Sequence, residues 1–541
     1  MIRKSGHKRY QPALWRRCRS VRSLRQFHAR MVVTGFEADP AAVRELVYCA
    51  AVLIPGALVY AHQLFNRIAQ PDLFVWNTLI RGAAHGPCPS DAVSLFHEME
   101  RRDASGSLQP NKYTFPFLLK ACVRLSSSSL GNQLHAKITR HGLESDGFVK
   151  NALINFHANC GDMAAANVLF DGPARADVVA WSAMIAGHAR RGDLEAARRL
   201  FEGTPCKDLI SWNVMITGYA RRGEMDKARE LFDQLPHRDV VSWNAVIAGY
   251  LESGSPGKAL EVFEEMTRAG ESPDEVTMLS LLSACAELGA LDAGARMHAS
   301  LAAMVRSRRV RPTVTLGNAL IAMYARCGSI ERALEVFRGM AERDISTWNS
   351  VIGGLALHGH AREAMRVFAD MRQRRVRPDE VTFVSVLTAC SHSGLVKEGR
   401  WCYALMTEEY GIKPNVKHLG CMVDMLGRAG FLQEALRFAE QMGVEPNPVV
   451  WRALLGACRT HGDVRLAELA NARLLRVSGG ADSGDYVLLS NTYASVGEWG
   501  EVEKVRMLMD ERGVPKAAGR SLVQARPSSI SLSSEGLLFA R

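Results

Sequence analysis

At 541 residues the chain is long for one globular core, which points to several units or to a repeat architecture. Its net charge of +11 does not mark the body as a nucleic-acid binder, because residues 1–36 hold ten Lys or Arg and no acid, while 37–541 balance 57 basic against 56 acidic residues. No two of the twelve cysteines are three apart and no His precedes Glu by two residues, which excludes the usual zinc and zinc-deaminase patterns; with no secretory signal, a disulfide framework is excluded as well.

The chain opens on a basic leader, 1–23, with Arg3, Lys4, Lys8, Arg9, Arg16, Arg17 and Arg19 and no acid. This composition resembles an organellar transit peptide, here assigned to the mitochondrion with the chloroplast as the alternative. A disordered basic arm that binds RNA is the blander reading. Residues 24–72 read as degenerate repeats. Leu24–Phe36 looks like the second half of one, and Pro40–Asp72 is a full but irregular one. The uncharged run Leu46–Ala61 is shorter than the ~20 residues a membrane span requires, and Pro55–Gly56 places a turn inside it.

From 73 to 447 the chain repeats. Trp76, Trp181, Trp212, Trp243, Trp348 and Trp451 share one slot; Trp181 to Trp212 and Trp212 to Trp243 are 31 residues apart, and Trp76 to Trp181 and Trp243 to Trp348 are 105. A fixed period in this range signals a solenoid. Val240–Asp274 shows the unit best. A first helix carries Val241, Trp243, Val246, Ile247 and Tyr250 at helical spacing and ends at Gly254. Ser255 can cap the second, Pro256 suits its first turn, and Ala259, Val262, Phe263 and Met266 line one side before Gly270 and Pro273 stop it. So short a hairpin cannot bury its apolar face alone, so it stacks on copies of itself. Cys122, Cys285, Cys390 and Cys458 recur after Ala at one slot and read as small buried residues. The tryptophans, with Tyr219, Tyr250 and Tyr324, read as packing between hairpins.

Three kinds of unit alternate: the Trp-Asn type (Leu73–Asn111, Val240–Asp274, Ile345–Asp379), a second type (Lys112–Asp146, Glu275–Thr313, Glu380–Asn415) and a short third type (Gly147–Asp177, Val314–Asp344). Val178–Asp208 and Leu209–Asp239 combine the short length with the Trp, and Val416–Asn447 is a variant. This alternation, with VFxxM-like second helices, resembles the plant pentatricopeptide repeat family in its subclass of long, short and standard repeats. The resemblance covers about Leu24 to Ser521 and implies an all-α fold, a right-handed α-solenoid superhelix of stacked helix-turn-helix repeats. Residues 448–521 resemble the family's C-terminal E motifs, tetratricopeptide-like helix pairs, with Arg452 where a repeat would hold Asn. Leu522 stands where the family has Trp, 522–541 reads as a disordered tail, and the deaminase domain that often follows in this family is missing.

The residue after each Trp slot lies in the first turn of a first helix, and the last residue of the unit lies just before the next. These two slots hold Asn77 with Asn111, Asn151 with Asp177, Ser182 with Asp208, Asn213 with Asp239, Asn244 with Asp274, Asn318 with Asp344 and Asn349 with Asp379. An amide has both donors and acceptors and can pair with a base edge. Asp before a helix is also the commonest N-cap, so capping alone is the competing reading for the acids. The resemblance implies one base read per unit: uracil for Asn with Asp, a pyrimidine for Asn with Asn, guanine for Ser with Asp. Pro116, Leu279 and Val384 stand at the same slot in the second-type units and cannot read through a hydrogen bond. The implied site, 5′ to 3′, is pyrimidine, any, U, G, U, U, any, U, U, then two weakly read positions.

The resemblance thus implies a sequence-specific binder of single-stranded organellar RNA. It would act as a monomeric site-recognition factor for C-to-U editing, with a deaminase or other editing factors recruited in trans through the E motifs. Neither catalytic nor metal-binding residues are expected, nor a cofactor or a membrane partner, and the chain is not read as an enzyme. The rival readings are an RNA stabilisation, splicing or translation factor without editing, and a tetratricopeptide-like protein-binding scaffold.

Overall fold

A computed structural model describes residues 18, 20–35, 39–103, 108–160, 162–170, 177–307, 310–440, 447–478 and 482–515. The basic leader 1–23 therefore lies largely, and the tail 522–541 wholly, outside the described residues. Among the described residues every regular element is helical, and the fold is all-α, an α-solenoid of helical hairpins. The chain divides into two compact units, 1–277 and 278–541.

Within 1–277, the hairpin at 240–274 shows why these residues fold as they do. Asp239 caps the helix Val240–Glu252 through a reciprocal pair of bonds with Ser242. Gly254, at φ 68°, turns the chain in the left-handed region that a β-carbon disfavours. Pro256 then starts the helix Pro256–Arg268. Ser255 sits at its cap position but makes no side-chain capping bond, which corrects the sequence expectation. Trp243, Val246, Ile247, Ala259, Val262, Phe263 and Met266 are buried; Val241 is 59% exposed and is not part of that face.

Hairpins stack through two recurring contacts. Each Trp of a first helix meets, edge-on, a Phe near the end of the preceding second helix. The centroid distances are 4.6 Å for Phe65–Trp76, 4.9 Å for Phe170–Trp181, 4.8 Å for Phe201–Trp212 and 4.7 Å for Phe232–Trp243. These rings pack as offset edges rather than presenting a free face, so they are core and not stacking platforms. The second contact is between successive first helices and requires glycine. A β-carbon on Gly249 would stand 2.6 Å from Ala220 Cβ, and one on Gly187 2.8 Å from Ala158 Cβ. Near the start of the chain the helix Val21–Thr34 is followed by the irregular hairpin, whose turn falls at Ile54–Ala57 with Gly56 at φ 78°. The second-type unit at 112 begins with a turn, and its first helix, Phe115–Arg124, starts three residues later than the unit boundary read from the sequence.

The unit 278–541 repeats the design. Phe337 meets Trp348 edge-on at 5.0 Å, and a β-carbon on Gly354 would stand 2.7 Å from Ala325 Cβ. Four helices, Pro448–His461, Val464–Ser478, Ser483–Ser495 and Trp499–Glu511, form the last two hairpins. Across the chain Cys122, Cys285, Cys390 and Cys458 are fully buried at their common slot, and all twelve cysteines are free thiols. Burial pushes the Cys122 and Cys458 thiols up to about 12 and that of Cys285 to about 11, as for apolar packing residues. Tyr219 and Tyr324 are buried and Tyr250 is half-buried.

Candidate nucleic-acid interface

The first helices share one local design at their N-termini. Asp208, Asp239, Asp274, Asp344 and Asp379 each accept, through Oδ1, the backbone N–H three residues on, from Ser211, Ser242, Thr277, Thr347 and Thr382 at 2.8 to 2.9 Å. This satisfies one of the amides that a helix start leaves without a partner. Asp177, with Ala180 at the corresponding position, makes no side-chain capping bond.

The same acids take a second donor from the preceding hairpin. Asn213 Nδ2 lies 3.4 Å from Asp239 Oδ1, Asn244 Nδ2 3.0 Å from Asp274 Oδ1, Asn318 Nδ2 3.1 Å from Asp344 Oδ1, and Asn349 Nδ2 3.0 Å from Asp379 Oδ1. Asn151 Nδ2 donates to Asp177 Oδ2 at 2.9 Å, Ser182 Oγ to Asp208 Oδ2 at 2.8 Å, and Asn77 Nδ2 to Asn111 Oδ1 at 3.3 Å. All seven pairs named from the sequence are thus in hydrogen-bond contact. Capping and pairing are not rivals in this geometry, since one carboxylate does both. In Asp239, Asp274, Asp344 and Asp379 the bonds from the residue three on and from the partner Asn all fall on Oδ1. Each partner Asn is half-buried rather than interior and keeps its second amide hydrogen. Ser182 sits deeper, at 6% exposed.

These four carboxyls lie below the usual carboxylate range. Burial pushes each of them up, but hydrogen bonds from the backbone and hydroxyl of the residue three on, and from the partner Asn, outweigh it. They are therefore anionic at neutral pH. Each pair sets an N–H donor beside an anionic acceptor.

Two features were not picked out from the sequence. Phe74, Val179, Ile210, Val241, Val276 and Val381, each two residues after the Asp at the cap position, are exposed on the first turn of their helices. The recurring β-branched residue in Asp-x-Val and Asp-x-Ile was the available signal, but it reads equally as core. Around one pair this row lines a concavity. A cavity of about 680 Å³ is lined by Asn213, Asp239, Ile210 and Val241, with Arg190 and Arg221 also on its wall. Acid, amide, two apolar side chains and two guanidinium groups thus share one concavity.

At the slot of Asn in the hairpin that starts at Pro448, Arg452 is held instead by two acids. Its Nε donates to Asp485 Oδ1 at 2.5 Å and a guanidinium N–H to Asp482 Oδ2 at 2.7 Å. Asp485 is fully buried. Nε and one terminal nitrogen of the guanidinium are engaged by these acids, so an ion pair stands here in place of the Asn–Asp pair.

Among the described residues no group of three potential ligands could hold a metal ion, and no helix is long and apolar enough to cross a membrane.

Comparison with known proteins places the site in context. A model of the PPR repeat matches residues 74–103, 179–203, 210–240, 318–345 and 381–410, a PPR repeat family model matches 238–287 and 343–392, and an E motif model matches 461–524. A pentatricopeptide repeat-containing protein of Arabidopsis thaliana is 55% identical over 520 residues, covering 95% of this chain and 93% of its own length. Another from the same plant, described as chloroplastic/mitochondrial, is 36% identical over 94% of this chain and 71% of its own. Among solved structures, the pentatricopeptide repeat protein PPR10 from maize is 19% identical with a TM-score of 0.47, over 87% of this chain and 78% of that one.

Proposed function

The chain belongs to the pentatricopeptide repeat family, and from that premise we propose that it is a sequence-specific binder of single-stranded RNA. The observation that carries this reading is the ladder of seven side-chain pairs, each joining the first turn of one hairpin to the cap of the next. An amide N–H beside a carboxylate suits a base edge that sets a carbonyl next to an N–H, as uracil does. Ile210 and Val241 offer apolar surface to the faces of a base. Arg190 and Arg221 offer charge to phosphates, a contribution that weakens with salt. A protein-binding scaffold gives the recurring amide–acid pair no purpose.

On this proposal 73–447 is the reading array and 448–521 the E motifs. The protein marks sites for C-to-U editing in an organelle, assigned to the mitochondrion, and a separate deaminase recruited through the E motifs does the chemistry. The match of an E motif model to 461–524 favours this over transcript protection or splicing without editing. The test of binding is a titration with RNA carrying pyrimidine, any, U, G, U, U, any, U, U against a scrambled sequence. Equal affinity for the two defeats the base-reading assignment. Sequencing organellar transcripts from plants without the protein tests editing, and an unchanged set of edited cytidines defeats that part.

A further inference from the structure

Two classes of reading unit differ in how the Asn amide is held. The longer units have second helices of 13 residues: Ser90–Arg102, Pro256–Arg268 and Ala361–Gln373. After each of these, a Thr at the start of the next first helix, three residues after the last residue of the unit, reaches back to the Asn. Thr114 Oγ1 donates to Asn77 Oδ1 at 2.7 Å, Thr277 to Asn244 Oδ1 at 2.7 Å and Thr382 to Asn349 Oδ1 at 2.6 Å. The shorter units have second helices of 10 residues, Met225–Gln234 and Ile330–Gly339. Thr277 and Thr382 also stand 2.8 and 2.9 Å from the capping acids Asp274 and Asp379, so their hydroxyls sit between acid and amide, whereas in the short units Ser242 and Thr347 reach the acid alone, at 2.5 Å from Asp239 Oδ1 and 2.8 Å from Asp344 Oδ1. Asn213 Oδ1 and Asn318 Oδ1 are left buried without a partner. The residue types are equivalent in both classes, and the length of the unit is what changes.

The consequence is chemical. In a long unit the amide is fixed at both ends, Oδ1 by the Thr and one N–H by the Asp, so it faces a base only as a donor. Uracil, with a carbonyl there, is accepted. The N4–H of cytosine, itself a donor, is refused. In a short unit a single bond holds the amide, and its buried, unpaired oxygen disfavours the orientation it has. Held by that one bond, the amide can swing off the acid, and its Oδ1, once out of its buried place, can accept the N4–H of cytosine.

We propose that unit length sets how strictly an Asn–Asp pair separates uracil from cytosine, with Thr277 and Thr382 as the positioning residues that fix the strict units. This rests on the base-reading assignment above.

The experiment uses the full chain and four RNAs, each with one U replaced by C at the position assigned to Asn213, Asn244, Asn318 or Asn349. In the unmodified protein the U-to-C affinity ratio should be about tenfold or more at Asn244 and Asn349 and about threefold or less at Asn213 and Asn318, within the range of single base contacts. Thr382→Val should bring the Asn349 ratio down to about threefold, and Thr382→Ser, which keeps the hydroxyl, should restore it. Thr347→Val removes the equivalent hydroxyl from a short unit and should change the Asn318 ratio less than Thr382→Val changes the Asn349 ratio. Equal ratios in long and short units of the unmodified protein overturn the proposal while base reading stands, and that comparison requires no variant to fold. So does a Thr382→Val protein that binds and keeps its full ratio. Indifference to U or C at all four positions overturns both the proposal and the reading beneath it.

Discussion

Asp344 separates capping from reading most cleanly. Its Oδ1 accepts Thr347 N–H at 2.8 Å, Thr347 Oγ1 at 2.8 Å and Asn318 Nδ2 at 3.1 Å. Asp344→Ala removes an N-cap, at about 1 kcal/mol, and leaves the fully buried Thr347 hydroxyl without its acceptor, at about 1–3 kcal/mol more. A loss of about 2–4 kcal/mol in urea unfolding is expected, felt mainly by the neighbouring hairpins because a solenoid is held by contacts between neighbours. Asp344→Asn is the informative change. Asn caps about as well as Asp, so stability should move by less than about 0.5 kcal/mol. The pair then matches Asn77–Asn111, which this chain already holds at 3.3 Å. The anionic acceptor is gone, and the U-to-C ratio at that nucleotide, about threefold in the unmodified protein, should fall to about one, read by fluorescence anisotropy with U and C at that one position. A pure cap predicts the opposite split: Asp344→Ala loses stability, while Asp344→Asn binds with the U-to-C ratio of the unmodified protein. That second result would refute the reasoning.

Other outcomes follow from the same geometry. Ser182→Asn should shift the nucleotide preferred at its position from guanine toward uracil, measured with the two RNAs that differ there; an unchanged preference would show that Ser182, bonded to Asp208, does not choose the base. Gly249→Ala puts a β-carbon 2.6 Å from Ala220 Cβ and 2.8 Å from Met225 Sδ, and should destabilise by about 1–3 kcal/mol despite the better helix propensity of Ala; a rise in the unfolding midpoint would show that the helices can separate freely. On acidification two declines are expected in urea midpoints. Burial holds His157, His298 and His418 below the ordinary His value, so the stability tied to their neutral forms is full above about pH 6.5 and falls below it. The depressed carboxyls of Asp239, Asp274, Asp344 and Asp379 contribute stability above about pH 4, lost as pH drops through their folded values. A midpoint flat from pH 7 to 4 would contradict the first.

The helices, the hairpin turns and the pairing of slots were legible in the sequence because each is written locally. Asp239 with Ser242 three residues on, Gly254 in the turn and Pro256 at a helix start are signals within a few residues of what they control. The period carried the rest, since Asn213 and Asp239 recur at the same spacing as Asn318 and Asp344. Other features could not be read that way. Val241 fits the apolar spacing of its helix yet is exposed, on the wall of the concavity that also holds Asn213 and Asp239. Ser255 has the right type for a cap, but its side chain makes no capping bond in the turn. Arg452 shows in the sequence only as a departure from Asn; its two acids lie 30 and 33 residues away and meet it through packing.

What the sequence determined by itself, then, is the hairpin, its repetition and which two side chains of each unit stand at its joints, since caps, turns and period depend on near neighbours. Only the tertiary structure decided what the hydroxyls of Thr382 and Thr347 reach, one standing between an amide and an acid and the other meeting the acid alone. That choice depends on how a 13-residue or a 10-residue helix sets one hairpin against the next, a distance between elements that identical residue types cannot encode.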